Sequence, residues 1–299
     1  MKKLIIEHLS KDYKQKGQTI KALDDVSLTI NGNQVVGLIG KNGSGKTTFI
    51  KSCTNLITFN GSISIEENDG NIRKLCHKDY GAVLEGNRNI YWKLSILENV
   101  KYFAGLRGIK FSDIKELTLC LLDKLSLYDK KDCLVETLSR GMKQKTALVC
   151  TLAVNTPILF LDEPTLGLDI ESRNHLRDFF TTDNTFLSNR LVFITSHDLV
   201  FIKEIAKKHY FIQNGRIYDV DFETFNPNIY KIRTDENLHD ITNCPNGIKM
   251  EGNTMYIDTV LIPLSMAVAY LEHECIHILE IIKMSNDIES FYLNLIKKY

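Results

Sequence analysis

The sequence predicts an α/β fold in two domains, and three observations predict it. Apolar strand-like runs alternate with helically spaced segments over the first 220 residues, and a glycine-rich loop joins one such strand to a helix. A Phe-Asn-Pro-Asn punctuation at 225–228 then separates a second, smaller pattern. Alternating strands and helices favour a parallel sheet covered on both faces. A chain of 299 residues accommodates a large and a small domain, here assigned to residues 1–224 and 229–299.

In chain order, Lys3–His8 is a short apolar segment. The Lys/Asp/Gly-rich residues after it read as a turn, and Val26–Ile30 as a strand. Asn31–Asn33 makes a turn, Gln34–Ile39 (QVVGLI) a buried strand, and Lys46–Cys53 a helix. Residues 98–108 and 113–127 carry apolar side chains at helical spacing, placing an inserted helical region at about 88–148. Strand and helix alternate again over Ile158–Asp162, Arg173–Phe180, Leu191–Thr195 and Leu199–Lys208. The second domain reads strand at 229–234, helix at 238–242, a hairpin turning at Glu251-Gly252-Asn253, helix at 265–274, strand at 276–282 and helix at 288–298.

Lys+Arg and Asp+Glu both number 37, so no global field recruits nucleic acid or anionic lipid. From Ile229 on, six basic residues face ten acidic ones, and nucleic acid is not expected as a partner. The seven scattered cysteines form no C-x-x-C pair and read as buried, reduced thiols. The N-terminus lacks a signal-peptide apolar core, and no stretch reaches the ~18 apolar residues of a transmembrane helix.

Gly40-Lys41-Asn42-Gly43-Ser44-Gly45-Lys46-Thr47 fits G-x-x-x-x-G-K-[ST], with a buried strand before it and a helix after it. The glycines let successive backbone N–H groups close on phosphate oxygens, and the helix adds its positive end. Lys46 supplies a mobile cation for the β- and γ-phosphates, and Thr47 a hydroxyl ligand for Mg²⁺. The neighbouring Thr48 joins the ATP-binding set. Ile158-Leu159-Phe160-Leu161-Asp162-Glu163 is an apolar strand ending in two carboxylates. Asp162 suits the metal shell, and Glu163, projecting to the other side, suits a base that deprotonates an attacking water.

Between these motifs, Leu138-Ser139-Arg140-Gly141-Met142-Lys143-Gln144 precedes a helix that Ser139 could cap. The segment resembles the Leu-Ser-Gly-Gly-Gln signature of ATP-binding-cassette (ABC) proteins. The order of phosphate loop, signature, Leu161-Asp162-Glu163-Pro164, Leu166-Gly167-Leu168-Asp169 and His197 extends that resemblance over residues 1 to about 220. The resemblance implies a P-loop NTPase cassette with a mixed sheet, an inserted helical subdomain and a small C-terminal α/β domain. It implies ATP as substrate, Mg²⁺ as cofactor and an ATPase activity. Tyr13 then resembles the aromatic that stacks on adenine, although an exposed loop tyrosine is an equal reading. Ser139, Gly141 and Met142 become contacts to the ATP of a partner cassette, with Met142 standing where the signature has glutamine. Asp169 becomes the partner-contacting loop aspartate, and His197 the switch histidine at the γ-phosphate.

The usual glutamine after an apolar strand is replaced here, since Tyr80–Leu84 leads into Glu85, still an oxygen ligand for Mg²⁺. GAVLEGNRNIYWKLSILEN resembles the branch serving drug, antibiotic or peptide exporters. The expectation is therefore a homodimer or heterodimer of cassettes held by a transmembrane permease at the cytoplasmic face of the membrane. Tyr91 and Trp92 either line the groove receiving a permease helix or pack in the helical region.

Two rivals stand beside this reading. Soluble cassette ATPases of translation or repair carry paired cassettes or long coiled coils, which this sequence lacks. His273-Glu274-Cys275-Ile276-His277 spells the H-E-x-x-H of a zinc peptidase, but the strand-like residues from Ile276 should break the helix that motif needs.

Overall fold

The computed structural model describes residues 2–15, 17–86, 89–182, 190–220, 229–236, 238, 247–259, 261–274 and 276–283. The chain divides into two compact units, Met1–Val220 and Asp221–Tyr299. The punctuation at 225–228 and the helix expected at 288–298 lie outside the described residues, as does most of the one at 238–242.

The first unit opens with a long hairpin, β1 (Lys3–Gln15) and β2 (Gln18–Asn31). The lysine-rich residues 11–15 are therefore strand, not the turn their composition suggests. Their partners are Leu23 to Gln18, and register shifts between Ile6 and Asp12 let the ribbon bend. β4 (Asn60–Glu66) and β5 (Ile72–Lys74) complete an antiparallel sheet of order β2-β1-β4-β5. The second sheet uses β3 (Gln34–Ile39), β6 (Tyr80–Val83), β7 (Ile158–Asp162), β8 (Leu191–Ser196), β9 (Lys208–Gln213) and β10 (Arg216–Val220). Its order is β10-β9-β3-β8-β7-β6, parallel except for the antiparallel β10 edge. The sheet is thus mixed rather than all-parallel, and β7 and β8 are buried along their whole length, as strands covered on both faces must be.

Helix α1 (Lys46–Cys53) joins the two sheets, because Phe49, Ile50 and Cys53 share one core with Leu4, Ile6, Leu23 and Ile63 of the antiparallel sheet and Val36, Phe160 and Phe193 of the other. The helical insertion contributes α2 (Ile96–Leu106) and α3 (Phe111–Lys124). α2 starts at a capping box, in which the Ser95 hydroxyl accepts from the Glu98 amide and the Glu98 carboxylate accepts from the Ser95 amide. α4 (Arg140–Ala153), α5 (Ile170–Thr182) and α6 (Leu199–Ile205) follow. α6 stops before Lys208, which the helical spacing had included. The Lys207 amide instead donates to Val35 O, and the chain enters the sheet as β9.

A polar cluster pins β5 to the start of β6. Arg73 donates to both Asp79 oxygens at 2.7 Å and to Glu67, and Ile158 N donates to Asp79 O. Burial pushes the Asp79 carboxyl up, but the Arg73 guanidinium and the Cys76 amide and thiol outweigh it and hold the group well below the usual range. Because the folded pKa is depressed, this stabilisation is complete at neutral pH and is lost as pH falls below about 4. Arg73→Met is expected to cost about 2 kcal/mol, less than a fully buried pair because Arg73 is partly exposed. Urea denaturation at pH 7 and again near pH 3 checks this: the gap from wild type should narrow in acid, and an unchanged midpoint at pH 7 refutes it.

The second unit is a four-stranded antiparallel sheet of order β12-β13-β11-β14. Its strands are β11 (Ile229–Thr234), β12 (Ile248–Glu251), β13 (Thr254–Asp258) and β14 (Ile278–Lys283), with α7 (Leu264–His273) beside them. Ile232, Met255, Ile257, Ala267 and Leu271 form its core. α7 closes at His273, whereas His277 immediately precedes β14, so the two imidazoles of the H-E-x-x-H string are not on one helical face. Among the described cysteines, Cys53 and Cys150 are buried, but Cys76 and Cys120 are exposed, which corrects the expectation of uniformly buried thiols. No helix among the described residues is long and apolar enough to cross a membrane.

Candidate functional site

The site hangs from the ends of β3, β7 and β8. Between β3 and α1 the chain turns through Gly43 (φ 80°) and Gly45 (φ 115°), the latter preceding the first residue of the helix. Only glycine fits at Gly45. Its backbone is in a region that side chains avoid, and a Cβ there would lie 2.5 Å from Ala22 O. Lys46 is buried, and its Nζ folds back to donate to Gly40 O at 2.7 Å and Lys41 O at 3.2 Å.

Glu163 and His197 meet over this loop. The Glu163 carboxylate lies 3.6 Å from Lys46 Nζ and 2.8 Å from His197 Nδ1. Glu163 has φ 50°, a conformation that strains a non-glycine residue by about 1 kcal/mol. Its amide is held by Thr195, through both the carbonyl and the hydroxyl, at 3.1 Å each. The same Thr195 hydroxyl donates to Asp162 Oδ1 at 2.6 Å. Asp162 is fully buried, and its Oδ2 has no hydrogen-bond partner. A buried carboxylate oxygen left unsatisfied is costly, and this one has the hardness a divalent cation requires.

A cavity of about 570 Å³ opens above these groups, lined among others by Tyr13, Thr47, Glu85, Glu163 and His197. The phosphate-loop residues Lys41, Asn42, Gly43, Gly45, Lys46 and Thr48 also line it, whereas Gly40 and Ser44 lie behind the wall. Tyr13 is 39% exposed, with Lys11 Nζ 5.3 Å from its ring centre, so a planar ligand stacks there only on the other face or by displacing the lysine. Ile20, its register partner across the hairpin, and Ala22 extend the same apolar patch. Sequence reading missed Ile20, Ala22 and Thr195. Only the strand pairing puts the first two beside Tyr13, while the sole trace of Thr195 is a polar residue in an apolar run.

Ser139, Gly141, Met142 and Asp169 do not line this cavity. Ser139 caps α4, accepting from Met142 N at 3.2 Å, and Asp169 accepts from Ser172 N at 2.7 Å at the start of α5. That hydrogen bond, with the charge of Lys145, holds the Asp169 carboxyl below its ordinary range. A second, smaller cavity of about 150 Å³ lies between Glu85, Trp92, Arg140, Lys143 and Glu163. Trp92 is 43% exposed and Tyr91 50%, so neither belongs to the core. Lys143 Nζ stands 4.7 Å from the Trp92 ring centre.

A mostly parallel sheet, a glycine loop leading from β3 into a helix, and paired carboxylates at the end of β7, two strands away across β8, define a phosphate-loop nucleotide-binding domain. Comparison with known proteins narrows the class. Residues 23–166 match the ABC transporter family model. The chain is 28% identical over 210 residues to the ABC transporter ATP-binding protein NatA of Bacillus subtilis, covering 70% of this chain and 85% of that protein. It is 31% identical over 225 residues to ABC transporter A family member 7 of Dictyostelium discoideum, but spans only 26% of it. Methionine import ATP-binding protein MetN 1 of Yersinia pestis is 29% identical over 224 residues, of which the chain spans 64%. The solved structure of the ATP-binding subunit of an ABC transporter superposes with a TM-score of 0.63 at 26% identity, over 74% of this chain and 92% of that one. The chain carries an ATP-binding cassette of the ABC transporter family, and its enzymatic class is ATPase.

Proposed function

We propose that two such cassettes hydrolyse MgATP between them and drive export through a separate transmembrane permease, which holds them at the cytoplasmic face of the membrane. The carrying observation is the division of the site. The phosphate loop, Glu163 and His197 share one cavity, while Ser139, Gly141, Met142 and Asp169 face elsewhere. A second cassette supplies the missing contacts, as a homodimer or a heterodimer.

Within the cavity, Tyr13 stacks on the adenine and the loop amides with Lys46 hold the phosphates. Asp162 Oδ2, the Thr47 hydroxyl and the Glu85 carboxylate are oxygen donors fit for Mg²⁺, which would neutralise charge on the β- and γ-phosphates. Glu163 takes the proton of the attacking water as its oxygen bonds to the γ-phosphorus and the bond to the β-phosphate oxygen breaks. His197, already hydrogen-bonded to Glu163, orients that carboxylate and reaches the γ-phosphate.

Support for export comes from Glu85 and the loop through Trp92, which resemble the exporter branch; MetN 1, a relative of similar identity, is named for import. The exposed Trp92 beside the smaller cavity favours a groove for a permease helix. The full chain, tagged and mixed with detergent-solubilised membranes, should co-purify a polytopic protein. Trp92→Ala should fold normally and lose most of it. Failure of the wild type to retain any membrane protein, with ATPase intact, would favour a soluble cassette ATPase.

A further inference from the structure

The signature-like pattern has glycine at its third position, but this chain has Arg140, the first residue of α4. The Arg140 side chain is exposed, yet it lies over Gly167. A Cβ built on Gly167 would lie 2.5 Å from Arg140 Nε, 2.7 Å from Cζ and 3.0 Å from Cδ, so the arginine occupies the volume a side chain there would need. Gly167 itself has φ 76°. The next residue of the helix, Gly141, abuts Leu168 and Ser172, whose atoms would be 3.6 and 3.7 Å from its Cβ. One turn further, the buried Lys145 is held by the charges of Asp169 and Glu171 against the burial that lowers its pKa. Two packing contacts, from Arg140 and Gly141, and the longer-range attraction of Lys145 to Asp169 and Glu171 therefore tie the start of α4 to Gly167–Ser172. That loop is in turn continuous with Glu163, because Leu166 N donates to Glu163 O and Leu168 N to Thr165 O.

We propose that Arg140 is a positioning residue, which clamps the Gly167 backbone and so fixes the 166–169 loop, and Glu163 at its root, to the signature segment. The inference rests on the proposed function, in which both segments face the partner cassette. In the absence of the guanidinium, the loop has room to shift, and a nucleotide held by Ser139 no longer sets the position of the opposite segment. The effect falls on turnover, not on the nucleotide affinity of one cassette, since Arg140 does not line the phosphate cavity. Lysine does not substitute, because its ammonium cannot lie flat along a peptide plane.

Steady-state ATPase kinetics on the full chain test this with Arg140→Ala, Arg140→Lys, Gly167→Ala and the double alanine variant. Arg140→Ala should lower kcat about tenfold with KM within about twofold, and Arg140→Lys should not recover it. Gly167→Ala should be impaired alone, through its clash with the arginine and its φ of 76°. On the Arg140→Ala background the clash is gone and only the smaller backbone cost remains, so it should add less than about threefold. Wild-type kcat in Arg140→Ala, recovery by lysine, a change confined to KM, or additive effects would each overturn the proposal. Glu163→Gln, run alongside, separates the two readings. Normal turnover by Glu163→Gln overturns the site itself, whereas an inactive Glu163→Gln beside a fully active Arg140→Ala overturns only the clamp.

Discussion

Glu163→Gln is expected to lower ATP turnover by about 10²–10⁴, the usual contribution of a general base, while ATP remains bound. Glutamine keeps the length of the side chain and an oxygen that can accept from His197 Nδ1, now at 2.8 Å from the carboxylate. It keeps the same left-handed backbone strain, since neither residue is glycine. What it loses is the carboxylate proton acceptor beside the phosphate loop and a negative charge 3.6 Å from Lys46. Removing that charge takes a repulsive neighbour away from the incoming triphosphate, so affinity for ATP should hold or rise. Phosphate release and titration with a fluorescent ATP analogue read the two quantities separately. Near-normal hydrolysis would exclude Glu163 as the base.

Gly45→Ala should do the opposite, removing binding itself. The new methyl would meet Ala22 O at 2.5 Å, a backbone atom flanked by the paired residues Lys21 and Leu23. Its strand is paired with β1, and the following Asp24 N is anchored to Gly215 O at 3.0 Å. The loop must move instead, together with the amides at the start of α1, in addition to the φ penalty at 115°. A displacement near 1 Å at such a site costs about 10² in function. Calorimetric titration with ATP should show at least that loss in affinity, accompanied by about 2 kcal/mol of destabilisation in thermal melts. An affinity close to wild type would show that the loop does not depend on a bare backbone at this position.

The phosphate loop was legible in the sequence because every part of it is a local requirement: flanking strand, glycines, lysine, threonine and helix are contiguous. Asp162 and Glu163 were legible for the same reason, as the end of an unbroken apolar strand. The N-terminal sheet was not. β1 pairs with β2 and β4 through shifted registers, and nothing in Lys11–Gln15 taken alone distinguishes an exposed strand from a turn. The place of Tyr13 depends on that pairing, and so does the patch it shares with Ile20. Arg140 was hidden by a different cause. Its partner is a glycine backbone 27 residues on, in a loop whose proximity only the folded chain creates. In the second unit the hairpin at Gly252-Asn253 was readable from the turn chemistry, since Glu251 and Thr254 face each other across it.

The position of β3 has a kinetic meaning. This strand emerges early in synthesis, yet both its neighbours, β8 and β9, begin only at Leu191 and Lys208. At translation rates of about 5–20 residues per second, the apolar QVVGLI segment waits roughly 8–30 s with both edges unpaired. Such non-local pairing is slow to form and exposes aggregation-prone surface while it waits. A nascent chain halted before residue 191 therefore presents a bare hydrophobic strand to chaperones. The loop that cradles ATP is attached to the end of that strand, so ligand can begin to protect the cassette only after Gln213 has left the ribosome.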